Sequence, residues 1–239
     1  MRVVIESVSP EIDSGRFPIK RTVGDHVVVE ADIFVDGHDI LSAVLLHRHQ
    51  REEVWSETPM EALPNDRWRG AFSVKEVGRH SYTLLAWVDR FKTWRHGLEK
   101  KAQAGQDVSQ DLLIGSDIVA EAARQAAQQA DDSKVAVLQD WAKRLAANSG
   151  SSEAHWRLGL DPELFSLMDR YSGRSLATKY SKELEIVVDR ERAGFSAWYE
   201  MFPRSASSGK GHHGTFKACV DRLAYISGKL VYRFSECSS

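Results

Sequence analysis

Apolar side chains recur at every second position from Val27 to Val35. Val27, Val29, Ala31, Ile33 and Val35 alternate with His26, Glu30 and Asp32, the period of a strand with one buried face, although Val28 and Phe34 make the other face partly apolar. Leu41 to His49 predicts a second strand. Pro64-Asn65-Asp66 is a turn signal, and after it Trp68, Phe72 and Val74 fall on one face of a third strand. Gly78 precedes a fourth run, His80, Tyr82, Leu84, Ala86 and Val88, again at period two. Short strands joined by turns predict an antiparallel, immunoglobulin-like β-sandwich over residues 1–92.

The period lengthens after Trp94. Val108, Leu112, Val119, Ala122, Ala126 and Ala130 fall near helical spacing, and Val135, Leu138, Trp141 and Leu145 do so again behind Asp131-Asp132-Ser133, which has the chemistry of a cap. These predict an antiparallel helical hairpin. Residues 148–153 read as a loop, and Asp161-Pro162-Glu163 supplies an N-cap, a proline at the first helical position and an acidic first turn before Leu164, Phe165, Leu167 and Met168. A bundle of three or so helices is therefore expected over residues 93–183. Strand composition returns at Ile186–Val188 and Phe195–Phe202, and Thr215–Ile226 reads as a helix with Phe216, Val220 and Leu223 on one side. Strand, loop and helix in that order predict the start of a β/α repeat over residues 184–239.

Composition narrows the function more than the fold. The 239 residues carry 32 basic and 34 acidic side chains, a net charge of −2, so no electrostatic footprint for nucleic acid or an anionic membrane is present. No run approaches the roughly 20 apolar residues of a membrane span, and the N-terminus lacks the apolar core of a signal peptide, so a cytoplasmic location is expected. Cys219 and Cys237 have no metal-type spacing and are expected to be free and reduced.

Several stretches carry a resemblance. Arg2 to Arg21, Gly24-Asp25, Val29 to Asp39, Tyr82, Ala86 to Phe91, Thr93 to His96, Glu99 to Lys101, Ala104 to Asp107, Val187 to Arg192 and Trp198 to Ser205 together resemble the N-terminal portion of bacterial maltose-1-phosphate maltosyltransferases of the alpha-amylase superfamily. That resemblance implies an enzyme extending alpha-1,4-glucans from alpha-maltose 1-phosphate with release of phosphate, and a sandwich and helical insert ahead of a (β/α)8 barrel. It also implies a homodimer and no cofactor. Trp198 to Pro203 would be the first barrel strand and Thr215 to Ile226 the first barrel helix. From Gly228 onward the sequence departs from the family pattern, so the expectation is a barrel truncated or frame-shifted just inside its start. A barrel takes about 200 residues or more. Retaining transfer needs two carboxyl groups roughly 5 Å apart, on later strands in this superfamily. No catalytic residue carries over, and the chain alone is expected to be inactive. Two other readings are a non-catalytic dimerisation or glucan-binding module and a fragment of an amylase-type hydrolase. The helical insert and the Trp94 to Asp107 segment argue against the latter.

Candidate residues each have a plainer reading beside the functional one. Glu200 and Arg204, at the end of the first barrel strand by resemblance, are candidates for a substrate shell. His212-His213 near Lys210 could bind an anion or a metal, but adjacent histidines lack helical two-ligand geometry, which favours a loop. Trp55, Trp68, Trp87 and Trp94 could offer stacking faces to sugar, or pack in cores and interfaces. Asp89-Arg90-Phe91 and Trp94-Arg95-His96 are expected to form an ion-pair network where sandwich gives way to helix. No metal site is expected.

Overall fold

A computed structural model of the chain describes residues 3–147, 153–174, 176–194, 200–207 and 212–226. The chain divides into two compact units, Met1–Asp189 and Arg190–Ser239.

In the first unit, strands β1 (Val4–Ser9), β2 (Ile19–Thr22), β3 (His26–Phe34), β4 (Leu41–His49), β5 (Ser56–Pro59), β6 (Glu61–Ala62), β7 (Arg67–Ser73), β8 (Gly78–Val88), β9 (Thr178–Lys179) and β10 (Leu184–Asp189) make two sheets. One runs β1-β3-β7-β6. The other runs β2-β10-β8-β4-β5, with β9 paired to β8. The alternation in β3 is the reason the sheets pack: Val27, Val29, Ala31 and Ile33 are buried while Val28 faces solvent. They share one core with Trp68 and Phe72 of β7, Ala43 and Leu45 of β4, Tyr82, Leu84 and Ala86 of β8, and Ile186 and Val188 of β10. Full burial of each large apolar side chain contributes roughly 1.5–3 kcal/mol. Trp68 keeps its polar edge satisfied by donating Nε1–H to the Ile33 carbonyl at 3.1 Å. The Pro64-Asn65-Asp66 turn appears where expected, with Asn65 and Asp66 at positive φ.

Two features depart from the sequence reading. Ile186–Val188 does not open a third segment. As part of β10 it pairs antiparallel with β8 and parallel with β2, so the six-stranded sheet is mixed. Its buried face supplies the reason, since Leu184, Ile186 and Val188 complete the core that β8 leaves open. Helix α1 (Arg90–Gln103) lies where only a change of period was noted. Its charged run leaves just Phe91, Trp94 and Leu98 buried, too thin a stripe to read beside Lys92, Arg95, Glu99, Lys100 and Lys101.

Helices α1, α2 (Ser109–Gln128), α3 (Asp132–Ala146), α4 (Glu153–Trp156) and α5 (Pro162–Tyr171) are inserted between β8 and β9 and share a second core. Both predicted caps form: Asp131 accepts from the Lys134 amide and Asp161 from that of Glu163, with Pro162 at the first position. Helices α2 and α3 are antiparallel, for Ser116 early in α2 donates to the Ala142 carbonyl late in α3 at 2.8 Å. The Trp94 indole lies against two glycines. A Cβ on Gly115 of α2 would fall 2.0 Å from Trp94 Cζ2, and one on Gly159 would fall 2.8 Å from Cη2. These positions lack a side chain because a ring fills that space.

In the second unit, single helical turns at Glu191–Gly194 and Pro203–Ala206 precede α6 (Phe216–Tyr225), capped by Thr215. The expected strand Phe195–Phe202 lies outside the described residues up to Tyr199, and Glu200–Phe202 adopt no regular element. Residues 148–152 of the expected loop, Lys210, Cys237 and the tail from Gly228 also lie outside the described residues.

Candidate functional site

The chain leaves the sheet for the helices at Asp89, and the polar groups of the junction converge on that carboxylate. Asp89 is the N-cap of α1. Its Oδ1 accepts the Lys92 amide at 2.9 Å, and its Oδ2 accepts the Ser42 hydroxyl of β4 at 2.8 Å. Lys92 Nζ lies 3.4 Å from Asp89 Oδ2, 2.9 Å from Ser42 Oγ and 3.2 Å from Asp169 Oδ1 of α5. One step along α1, the Thr93 hydroxyl accepts the Ile40 amide at 2.8 Å, and the Asp89 amide donates to the Ile40 carbonyl at 2.8 Å. Asp89 and Ser42 are buried. A buried carboxylate is tolerated only when its lone pairs are filled, as they are here by a backbone amide, a hydroxyl and an ammonium.

Arg95 extends the junction. Its guanidinium donates to the Leu160 carbonyl at 3.0 Å and sits 5.1 Å from the Phe165 ring, which Lys92 approaches from 5.7 Å. Trp94 Nε1–H donates to the Asp111 carbonyl at 2.6 Å. Of the residues named from sequence, Asp89 pairs with Lys92 and not with Arg90, Arg95 or His96, Phe91 and Trp94 pack together with ring centroids 5.5 Å apart, and Arg90 and His96 face solvent. Ser42, Lys92 and Asp169 were missed. A serine inside an apolar run, Leu41-Ser42-Ala43-Val44, was the one signal available for Ser42. Farther along, Tyr171 of α5 donates to Asp131 Oδ2 at 2.5 Å, which holds the Asp131 carboxyl below its ordinary range and pushes the Tyr171 phenol up.

The four tryptophans considered for sugar stacking are all engaged. Trp68 and Trp94 belong to the two cores. Trp87 and the half-buried Trp55 lie on the outer face of the six-stranded sheet with Val44 and Leu46. Arg174 stands 4.5 Å from the Trp87 ring and holds both Glu57 carboxylate oxygens at 3.0 and 2.8 Å. Arg48 and Lys179 stand 4.3 and 5.3 Å from the Trp55 ring. An aromatic face that stacks on sugar must be open, and the protein's own cations occupy these.

Glu200 and Arg204 are both exposed, Arg204 within the turn Pro203–Ala206, where its carbonyl accepts the Gly214 amide at 2.9 Å. His212 and His213 are exposed. Among the described residues no group of three or more His, Cys, Asp or Glu is placed to hold a metal ion, and no helix is long and apolar enough to cross a membrane.

A family model described as "Alpha-1,4-glucan:maltose-1-phosphate maltosyltransferase, domain N/S" matches residues 1–190. The chain is similar to proteins named alpha-1,4-glucan:maltose-1-phosphate maltosyltransferase. It is 46% identical to that of Chlorobaculum tepidum over 226 residues, 95% of this chain and 33% of the relative. It is 44% identical to that of Myxococcus xanthus over 230 residues, 94% of this chain and 34% of the relative. With that of Methylacidiphilum infernorum the identity is 37% over 226 residues, 95% of this chain and 33% of the relative. The chain spans about a third of the length of the curated relatives it matches.

Proposed function

This chain belongs to the alpha-1,4-glucan:maltose-1-phosphate maltosyltransferase family, and from that membership we propose that it is the N-terminal, non-catalytic part of an enzyme extending alpha-1,4-glucans from alpha-maltose 1-phosphate with release of phosphate. One observation carries the reading. The match to domain N/S ends at residue 190, and the first structural unit ends at Asp189. The unit is a framework: residues 1–92 are read as an immunoglobulin-like sandwich whose second sheet is completed by β9 and β10, with a helical insert, residues 93–183, fixed to it through Asp89 and Arg174. Residues 184–239 are read as the return strand β10 followed by the first β/α unit of a barrel, with α6 as its helix. In the intact enzyme the framework pairs two subunits in the cytoplasm, and Glu200 and Arg204 lie in the substrate shell.

The decisive experiment is an assay of phosphate release from maltose 1-phosphate with glycogen as acceptor. The purified chain is expected to give none; release above the rate without protein would overturn the non-catalytic reading. Light scattering on the same sample is expected to show a dimer, and a monomer at all concentrations would remove the pairing role. In a full-length relative, replacing the residue equivalent to Arg204 with alanine is expected to raise KM for maltose 1-phosphate; unchanged kinetics would remove Arg204 from the substrate shell. Phosphate release from a hydrolase substrate such as starch is impossible, so a gain of reducing ends from starch alone would instead favour the hydrolase reading.

A further inference from the structure

Three histidines stand together at one end of the core between the sheets. His47 and His49 are two apart on β4, on the face that carries Ala43 and Leu45 into the core, and His49 is the direct cross-strand partner of His80 on β8. The His47 ring stacks on Phe72 of β7 with centroids 4.1 Å apart, and the rings of His49 and His80 meet edge to face at 4.8 Å. His49 is 5% and His80 7% exposed.

Hydrogen bonds assign the ring protons. A carbonyl only accepts, so His80 Nε2, 2.9 Å from the Glu76 carbonyl, carries a proton. The Arg51 amide donates to His49 Nδ1 at 3.3 Å, so Nδ1 presents its lone pair and the proton of the neutral ring is on Nε2. His49 Nε2 is buried without a hydrogen-bond partner. Around it the turn after β4 is closed by the His49 amide donating to Glu52 Oε2 at 2.8 Å, the Glu52 amide to the His49 carbonyl at 2.9 Å, and the Gln50 amide to the Arg79 carbonyl at 2.8 Å. On the other side the Glu76 carboxylate lies 4.0 Å from the same His49 Nδ1, its side chain 64% exposed.

We propose that His49 is an acid-operated latch on this end of the core: its Nδ1 lone pair takes a proton from solvent, the Arg51 amide loses its acceptor, the imidazolium pairs with Glu76, and the turn between β4 and β5 is released. Protonation sets a donor against a donor at Nδ1, so the Arg51 bond and the charged ring exclude each other. Glu52 from the turn and Glu76 from the β7–β8 link are the acidic groups facing the cluster. His47 and His80 are the basic ones, and Phe72 and Tyr82 close the wall. Arg48 pairs with Glu183, Arg79 with Glu185 and Glu57 with Arg174 on the outer face, while Arg51, Glu53 and Lys75 are exposed. Burial pushes His47 below the ordinary imidazole value of 6.5, with Glu52 opposing and His80 adding to it, so a second cation is resisted. For His47, stability is full above 6.5 and is lost as pH falls through the lower folded value.

The test uses the whole chain. Imidazole 15N spectra and hydrogen exchange of the turn are followed from about pH 8 to about pH 5, the interval in which histidines titrate. His49 is expected to start with its proton on Nε2 and gain one on Nδ1, and turn amides are expected to lose about tenfold or more of their intrinsic-rate-corrected protection, the equivalent of one pH unit. Val27–Ile33 in β3 keeps its protection. A turn that stays protected while His49 charges, or a His49 that stays neutral until β3 also opens, would overturn the latch. Glu76→Gln is expected to move the transition to lower pH, since the imidazolium loses its carboxylate, and His49→Gln to abolish it. An unmoved transition in Glu76→Gln overturns the partner exchange.

Discussion

Helices α5 and α6 are alike in length, side-chain capping and apolar period. Each has ten residues, a side-chain N-cap, Asp161 or Thr215, and an apolar stripe at helical spacing. In α5 that stripe is buried, with Leu164 at 0%, Met168 at 1% and Tyr171 at 1% exposure, whereas Phe216, Val220 and Leu223 of α6 are 82%, 62% and 54% exposed. The difference comes from what surrounds them. Helix α5 packs into the core built by α1, α2 and α3, and the second unit buries no large apolar side chain of α6 among the described residues. Periodicity makes a helix amphipathic, but a partner must exist before the stripe adds stability.

That contrast predicts the largest effects. Leu164→Ala is expected to cost about 2–5 kcal/mol, the usual range for emptying a buried leucine site. Leu223→Ala on α6 is expected to change stability by about 0.5 kcal/mol or less, as exposed substitutions do. Urea denaturation followed by circular dichroism at the helical band compares the two directly. Equal costs would mean that α6 has a buried partner after all. Gly115→Ala sharpens the same comparison from the other side of the core: its methyl would meet the Trp94 ring, and overpacking of this kind costs about 1–3 kcal/mol or more. A melting temperature unchanged in Gly115→Ala would show that the indole can shift aside.

The same reasoning separates what could be read from the sequence and what could not. The β3 strand and the Asp131 and Asp161 caps were legible because each is a local rule: a period, or a side chain next to the amides it caps. The hairpin of α2 and α3 followed from two such rules and a short link. The pairing of β10 with β2 was not legible, because parallel neighbours far apart in the chain share no local signal, and α1 hid behind its charges. At the junction, Asp89 was visible as an acidic residue at a change of period. Its partners Ser42 and Asp169 come from distant elements and are defined only by the packing of α1 against β4 and α5. Tryptophan content alone could not tell an open stacking face from one covered by Arg174 or Arg48.

The two ties that hold the helical insert to the sheet extend the comparison between buried and exposed chemistry. Asp89→Ala removes an N-cap and leaves Lys92 and Ser42 facing an empty, buried site, so a loss of about 3 kcal/mol is expected. Arg174→Ala breaks a half-exposed ion pair with Glu57 and a cation over Trp87, interactions worth about 1 kcal/mol or less each. Denaturation midpoints of the two variants test the ranking. A larger loss in Arg174→Ala would make the outer tie, rather than the buried carboxylate, the fixture of the insert.

The smallest expected effect is a pH dependence of the tie between α5 and α3, for which α6 has no counterpart among the described residues. Asp131 caps α3 while accepting the Tyr171 hydroxyl of α5, and that hydrogen bond, with a second from Ser133, holds the carboxyl below its ordinary value of 3.8. A carboxylate depressed on folding contributes stability that is fully present above its unfolded value and is lost as pH falls through the folded one. Thermal melts from neutral pH into the acid range should therefore show the wild type losing stability below about pH 4, over and above the loss in Tyr171→Phe, whose Asp131 lacks the phenol as a partner. The Tyr171→Phe variant keeps the ring in the core and removes only the donor, so it isolates the hydrogen bond. Parallel acid profiles for the two proteins would show that Ser133 and the Lys134 amide hold the carboxylate without help from α5.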